Sequence, residues 1–327
     1  MVEKLFQPST QLVPFEVIYA ANARKSKFIH DDTLRSTTLD VSEVKAARLT
    51  AGSAVLFDSA GQVVLPTNYL MSSYDVPFPE VLHKRVPDAG NGKFIVSFNA
   101  GWRNYYHLLV QASFSTWLIK TFFSIDARFL FPELSATGKS LVRLSGAPPE
   151  ETVFVHKNLC LELPTAYIVN QTYSERPSSF LPLFARDIMR RAGARDGQAR
   201  KVYISRRDSK NRSITNEDDV ERTLASKGYY IASLTGKPLA EQMALFSAAD
   251  SIVAPHGAGL SNLMFCRPGT KVTELSPDFY THPCFAYISQ VMQLDHKMLI
   301  FHVPGASVEA RHANTWSVDI DLLLSNL

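Results

Sequence analysis

Along the second half of the chain the spacing of apolar residues changes period at regular intervals. Phe180 to Ala192 places apolar side chains at helical spacing, Lys201 to Ser205 is a short extended run, Glu217 to Lys227 is helical again, and Tyr229 to Ser233 is extended. Pro238 to Ala248 predicts another helix, Ser251 to Ala254 a buried strand, Leu260 to Phe265 a short helix and Lys271 to Leu275 the next strand. A helix over Pro283 to Gln293, a strand over Lys297 to Val303 and an amphipathic segment from Trp316 to Leu324 follow. Strands that alternate with helices in this way predict a doubly wound sheet, with ligands beyond the carboxyl ends of its strands.

The first half is less regular. From Met1 to about Tyr74, short apolar runs (Phe15 to Ala21, Ala54 to Phe57, Val63 to Leu65) are separated by polar turns, and Asp58 to Gly61 reads as a hairpin turn, so this region predicts antiparallel or irregular β-structure. Beyond it the pattern becomes α/β. It predicts a strand at Lys93 to Phe98, a helix at Asn104 to Phe123, a strand at Asp126 to Phe131 and a helix at Pro132 to Leu144, with Pro132 in its first turn. Strands at Val153 to His156 and Leu159 to Leu163 come next, and the polar, proline-bounded stretch Pro164 to Pro182 suits a domain connection. The chain is thus divided into 1–170, 171–305 and a carboxyl-terminal segment 306–327.

Composition narrows the class without choosing a function. The 327 residues have room for about two domains, and 46% hydrophobic with 20% charged residues is an ordinary globular balance. A net charge of +3, with no Lys/Arg run longer than two, argues against a nucleic-acid partner. Three cysteines, Cys160, Cys266 and Cys284, show no paired spacing, which points to neither a disulfide framework nor a zinc site. The stretch Met1 to Pro8 lacks the apolar core of a signal peptide, and Leu108 to Ile125 is broken by Gln111, Ser113, Ser115 and Lys120, as a buried helix would be and a membrane span would not. The expectation is a protein without a transmembrane segment that meets a membrane only peripherally.

Three stretches carry candidate chemistry. In the first, Pro255-His256-Gly257-Ala258-Gly259 turns from a strand into a helix that also holds Asn262. The glycines predict unusual dihedrals and close ligand approach, and a helix start suits an anion. The second is the loop after Lys201 to Ser205, which gathers Arg206, Arg207, Lys210 and Arg212, and guanidinium groups pair bidentately with phosphate oxygens. Its alternative is a solvated basic loop. In the third, Gly101-Trp102-Arg103-Asn104-Tyr105-Tyr106-His107, an imidazole able to take a proton near neutral pH stands beside aromatic residues that predict a sugar-stacking wall; a core or capping histidine is the alternative. Asp319-Ile320-Asp321 matches a short D-x-D pattern but falls on an amphipathic helix, and His282, His296, His302 and His312 lack helical metal-site spacing, so no metal centre is expected.

Ile204-Ser-Arg-Arg207, Arg212 to Glu217, Glu241-Gln242, Ala249-Asp250 and His256 to Asn262 through Glu274-Leu275 together resemble glycosyltransferase family 61, and Asn104-Tyr105-Tyr106-His107 resembles that family's amino-half motif. The resemblance implies an α/β protein of GT-B type, two Rossmann-like domains facing across a cleft. Residues 1–170 would form the acceptor side, 171–305 the nucleotide-sugar-binding domain, and the helix in 306–327 would pack back on the first domain. It implies an inverting, metal-independent transfer of sugar from a nucleoside-diphosphate sugar, with no cofactor, to a glycan or glycolipid hydroxyl. For a chain of this kind it also implies surface polysaccharide or capsule assembly at the inner, cytoplasmic face of a membrane.

On this reading Arg206, Arg207 and Arg212 hold the diphosphate with Gly257, Ala258 and Gly259. Gln242, His256, Asn262 and Glu274 line the donor pocket, Glu274 accepting from ribose hydroxyls at a strand end. His107 deprotonates the acceptor, flanked by Trp102, Asn104, Tyr105 and Tyr106. One departure stands out: the family often has tryptophan and then an acidic residue within a turn of the histidine, whereas Leu108, Val110 and Gln111 occupy those places here. Asp75 and Glu80 are the candidate acids to replace it from elsewhere. Two other classes stay open, a carbohydrate-binding or assembly protein that keeps the fold without catalysis, and a nicotinamide-dependent oxidoreductase using Gly257-Ala-Gly259.

Overall fold

The computed structural model describes residues 3–5, 12–25, 38–65, 67, 69, 84–85, 91–194, 197–209, 211–306 and 313–327. The chain forms two compact units, Met1–Ser9 with Ser36–Phe180, and Thr10–Arg35 with Leu181–Leu327. The described residues make it a mixed α/β protein with two sheets.

The first unit holds strands β1 (Glu3–Leu5), β3 (Leu39–Thr50), β4 (Val55–Phe57), β5 (Lys84–Arg85), β6 (Lys93–Val96), β7 (Arg128–Pro132), β8 (Thr152–Val155) and β9 (Cys160–Val169). Among the described residues they make an eight-stranded sheet in the order β1-β3-β9-β6-β7-β8, with β4 on β3 and β5 on β9. The β9-β6-β7-β8 core is parallel and the β1, β3 and β4 flank antiparallel. The hairpin at Asp58 to Gly61 forms as the sequence predicts: Asp58 Oδ1 accepts from the amides of Ala60 and Gln62, and Gly61 takes a positive φ of 80°.

Three expectations shift in this unit. Pro164 lies inside β9 and does not open a connection; lacking an N–H it drops out of the ladder, and opposite it Ala46 adopts φ 47°. Pro132 ends β7, because the helix α2 (Ala136–Leu144) starts later, where Ser135 Oγ accepts from Gly138 N at 3.2 Å. The helix expected over Asn104 to Phe123 begins as a π-helix, His107–Ser113, and continues as α1 (Phe114–Phe122). Phe94, Phe98, Phe114, Trp117, Phe129 and Phe131 are fully buried in this unit's core, each such side chain contributing about 2 kcal/mol of transfer free energy.

Among the described residues the sheet of the second unit is all parallel. Strands β2 (Glu16–Tyr19), β10 (Lys201–Ile204), β11 (Tyr230–Ala232), β12 (Ser251–Pro255), β13 (Lys271–Pro277) and β14 (Asp295–Phe301) run in the order β11-β10-β12-β13-β14-β2. The edge strand β2 comes from the amino-terminal region, pairing Glu16 to Tyr19 with Lys297 to Ile300. Its helices are α3 (Leu181–Ala192), α4 (Glu217–Ser226), α5 (Leu239–Ala248), α6 (Cys284–Met292) and α7 (Ile320–Leu324), with a 3-10 helix at Ala258–Phe265.

Alternation of side chains sends Tyr203, Val253, Leu275 and Leu299 to one face of this sheet, where they pack with Val220 and Leu224 of α4 and with Trp316 and Leu323. On the other side, α3, α5 and α6 pack around the 3-10 helix, and Met298 and Ile300 of β14 lie under α6. The tail is thus placed differently from the expectation. Trp316, Val318 and Leu323 belong to the second unit's own core, and Trp316 Nε1 donates to Arg212 O at 3.0 Å.

The strand order sets where a ligand can enter. The connection leaving β10 runs through α4 to β11 on one side, and that leaving β12 runs through the 3-10 helix to β13 on the other. The crevice at the carboxyl ends of β10 and β12 is therefore the topological switch point of this sheet.

Candidate active site

Both sequence motifs of the second unit arrive at that switch point. Where β12 ends, the chain passes through His256 and Gly257 into the 3-10 helix. Gly257 has φ 179°, extended backbone open to any residue, which corrects the expectation that it supplies an unusual dihedral. Its role is to leave space: a Cβ at 257 would collide with Arg206 Nη1, and one at Gly259 would come within 2.8 Å of Leu234 Cδ1.

Arg206 bridges from the loop after β10 to this turn. Its Nη1 donates to His256 O at 3.1 Å and its Nη2 to Asn211 O at 2.8 Å and Ser209 Oγ at 3.1 Å, all neutral acceptors. Glu217 at the start of α4 fixes the base of the loop, accepting from Arg206 N at 2.6 Å and from the Tyr203 hydroxyl at 3.1 Å. Arg212, buried and at φ 53°, donates to the same His256 carbonyl at 3.4 Å and lies 4.1 Å over the Tyr280 ring. Burial, and then the charge of Arg212, pull the Arg206 pKa down to about 10. Two guanidinium groups held this close, with burial opposing their charge, make an environment that an anion would relieve.

The third arginine of the motif does not join them. Arg207 turns to α4, where it pairs with Asp218 and, at 2.8 Å, with Glu221, and these carboxylates raise its pKa. Adjacent residues at the end of a strand point to opposite sides, so one arginine of the pair faces the crevice and the other the helix. Lys210 lies outside the described residues, as do Asp75, Glu80 and His312.

Behind the turn stands a buried polar chain. His256 donates its Nδ1–H to Glu274 Oε1, His296 donates Nε2–H to Glu274 Oε2 at 2.9 Å, and Ser289 Oγ meets His296 Nδ1 at 2.7 Å. Burial acts to raise the Glu274 pKa, but the hydrogen bonds from His256 and His296 and, at the acid pH where Glu274 titrates, the charge of those rings outweigh it and hold the group at about 2. Burial lowers the His256 pKa, and its ring packs edge-on to Tyr280 and against Phe285. At neutral pH His256 is therefore a neutral imidazole whose lone pair is on Nε2.

This arrangement moves Glu274 from its expected place. It stands mid-strand in β13 with no exposed surface and both oxygens engaged, orienting His256 instead of offering a carboxylate at a strand end. Asn262 and Gln242 are likewise occupied: Asn262 Nδ2 donates to Gln242 Oε1 at 3.1 Å and to Gly259 O at 3.0 Å, while Gln242 Nε2 donates to Lys237 O at 2.8 Å. The two amides brace the glycine turn against the loop after β11.

In the first unit, His107 opens the π-helix, a form that recurs at functional sites. Its Nδ1 lies 2.6 Å from Gln111 Oε1, and its ring occupies the space that a Cβ on Gly101 would need. The aromatic wall is only partly available. Trp102 is buried and spends its Nε1–H on Gly52 O at 3.0 Å, and Tyr106 is buried with its hydroxyl on Glu175 O at 3.2 Å. Tyr105 is half-buried, while Asn104 Oδ1 accepts from Tyr106 N at 2.9 Å and so shapes the turn.

Sequence reasoning assigns no site role to Gln111, Asn99, Glu217, Tyr280, Ser289 or His296. One signal was present. A glutamate within the apolar strand Val272 to Leu275 must find partners, and a histidine on the neighbouring strand is the natural one. Among the described residues no group of three or more His, Cys, Asp or Glu side chains is arranged to hold a metal ion, and Asp319 N-caps α7 through Leu322 N at 3.0 Å. No described helix is long and apolar enough to cross a membrane.

A family model described as Glycosyltransferase 61 matches residues 92–273. A beta-1,2-xylosyltransferase, RCN11, of Oryza sativa subsp. japonica is 35% identical over 66 residues, which is 20% of this chain and 12% of that protein. The aligned stretch thus covers only a small part of the rice protein's length.

Proposed function

The chain belongs to the glycosyltransferase 61 family, and from that premise we propose that it is an inverting glycosyltransferase of GT-B type using a nucleoside-diphosphate sugar. The observation that carries this reading is the convergence of Arg206 and Arg212 on the His256 carbonyl at the switch point of the second sheet. Two guanidinium groups beside a turn with glycines at 257 and 259 are suited to a diphosphate, whose charge increases as it leaves the sugar. Tyr280, stacked under Arg212, and the neutral His256 imidazole add a stacking surface and a hydrogen-bonding group to the same corner.

His107 is proposed as the base. In a single displacement, the acceptor hydroxyl loses its proton to the imidazole, its oxygen forms the new bond to the anomeric carbon, and the bond to the diphosphate breaks with its electron pair on the leaving phosphate oxygen. The acceptor is proposed to be a glycan or glycolipid hydroxyl in surface polysaccharide assembly at the cytoplasmic face of a membrane. No metal is assigned a role, because the arginines supply the positive charge.

Calorimetry with a panel of nucleoside diphosphates, followed by transfer assays with and without EDTA, tests the reading. It requires binding of at least one nucleoside diphosphate that is lost in Arg212→Ala, and turnover that survives chelation. Binding without turnover or donor hydrolysis on a broad acceptor panel would favour a carbohydrate-binding or assembly protein.

A further inference from the structure

We infer that Gln111 is a positioning residue that fixes His107 in the Nδ1–H tautomer, so that the imidazole presents Nε2 as the proton-accepting nitrogen. This rests on the proposed role of His107 as base. It follows from hydrogen bonds whose direction each partner's chemistry dictates.

The sequence of bonds starts at backbone groups, which have no choice of role. The carbonyl of Thr172 can only accept, and it lies 2.6 Å from Asn99 Nδ2; the amide of Gly101 can only donate, and it lies 2.9 Å from Asn99 Oδ1. These two contacts set the Asn99 amide. The Ser174 carbonyl, 2.6 Å from Gln111 Nε2, sets the Gln111 amide in the same way, and Gln111 Nε2 also donates to the Tyr69 hydroxyl at 3.2 Å. Gln111 Oε1 is then the atom that faces both Asn99 Nδ2, at 2.7 Å, and His107 Nδ1, at 2.6 Å. An amide oxygen has two lone pairs and no proton, so His107 Nδ1 must carry the hydrogen, which in the neutral ring leaves the lone pair on Nε2.

Two further features show that the arrangement is constrained. Gln111 is fully buried, so water does not compete for its oxygen. His107 and Gln111 are four apart in one helical segment, a spacing that puts the two side chains on the same face. The ring is also seated on Gly101, beside Tyr69 and Tyr106.

A glutamine serves this purpose differently from a carboxylate. Both orient the ring by accepting from Nδ1–H, but the neutral amide does not add a negative charge that would favour imidazolium. When Nε2 takes up the acceptor's proton, Nδ1–H stays bonded to Gln111 Oε1, and no proton moves onto the glutamine.

The test combines nitrogen-detected NMR of histidine-labelled full-length protein with steady-state kinetics. The His107 signal, assigned by its loss in His107→Asn, is expected to report the Nδ1–H tautomer. Gln111→Met, of similar length but with only a weak thioether acceptor, should shift that signal towards Nε2–H and lower kcat by about 100-fold, with nucleoside-diphosphate affinity unchanged. Gln111→Glu, which restores an acceptor, should keep the Nδ1–H tautomer and move the acid limb of the kcat profile up by about one pH unit.

An Nε2–H tautomer in the wild-type protein overturns the inference. So does a folded Gln111→Met variant with unchanged tautomer and kcat. If His107→Asn abolishes turnover and Gln111→Met does not lower it, the inference fails and the base assignment stands. Full kcat in His107→Asn overturns both.

Discussion

Arg206 donates from Nη1 to the carbonyl oxygen of His256 at 3.1 Å, passing over Gly257 through the space that a Cβ would fill. The glycine therefore acts on the arginine more than on the backbone. In Gly257→Ala the guanidinium must move, while φ 179° remains comfortable for alanine. The expected result is a folded protein whose nucleoside-diphosphate affinity falls at least about tenfold, roughly 1.4 kcal/mol. Calorimetry beside a thermal melt checks this, and unchanged affinity would show that Arg206 does not need its present position.

The neighbouring arginines should separate in the same assay. Arg207 is half-exposed and paired on α4, where a surface ion pair is worth about 0–1 kcal/mol. Arg207→Ala is expected to leave kcat/KM within about threefold of wild type, whereas Arg212→Ala should lower it by about 100-fold or more. Equal losses in the two variants would return Arg207 to the site.

Gly101→Ala addresses the first unit. A methyl there collides with the His107 ring, so the imidazole must rotate away from its bond with Gln111. Turnover should fall by about 100-fold while binding of nucleoside diphosphate is unaffected. Lost binding in this variant would place His107 among the groups that hold the donor.

Acid should destabilise the protein through Glu274. Its folded pKa of about 2 lies below the ordinary 4.5, so its contribution is complete above pH 4.5 and is lost as pH falls towards 2. His256 acts with the same sign from a higher pH: burial lowers its folded pKa below the ordinary 6.5, and the unfolded chain takes up protons that the folded chain does not. Glu274→Gln should cost about 3 kcal/mol at pH 7 and flatten the dependence between pH 4.5 and 2. Thermal melts across that range decide it, and parallel curves for the two proteins would count against the buried pair.

Much of the second unit could be read from periodicity, because a buried parallel strand must be continuously apolar and a helix covering it must carry a stripe. The run Ser251 to Pro255, its glycine turn and the strand after it are found where the pattern predicts them. The Arg206 loop and the His256 turn were recognisable as candidates for the same reason: both follow strands that a doubly wound sheet must align. Pro132 and Pro164 misled the reading, since a proline marks a start or a break only when its neighbours leave no other use for a residue without an N–H.

Local order along the chain determined the strands, the helices, the family motifs and the edge of the sheet where charge would gather. Tertiary structure decided what each charged or polar group faces: Arg206 inward and Arg207 outward, Glu274 between two imidazoles, Gln111 against His107, and β2 beside a strand about 280 positions later. The reason is physical. Periodicity reports which positions avoid water, whereas the partner of a buried polar group is chosen by register, rotamer and packing between segments far apart in the chain.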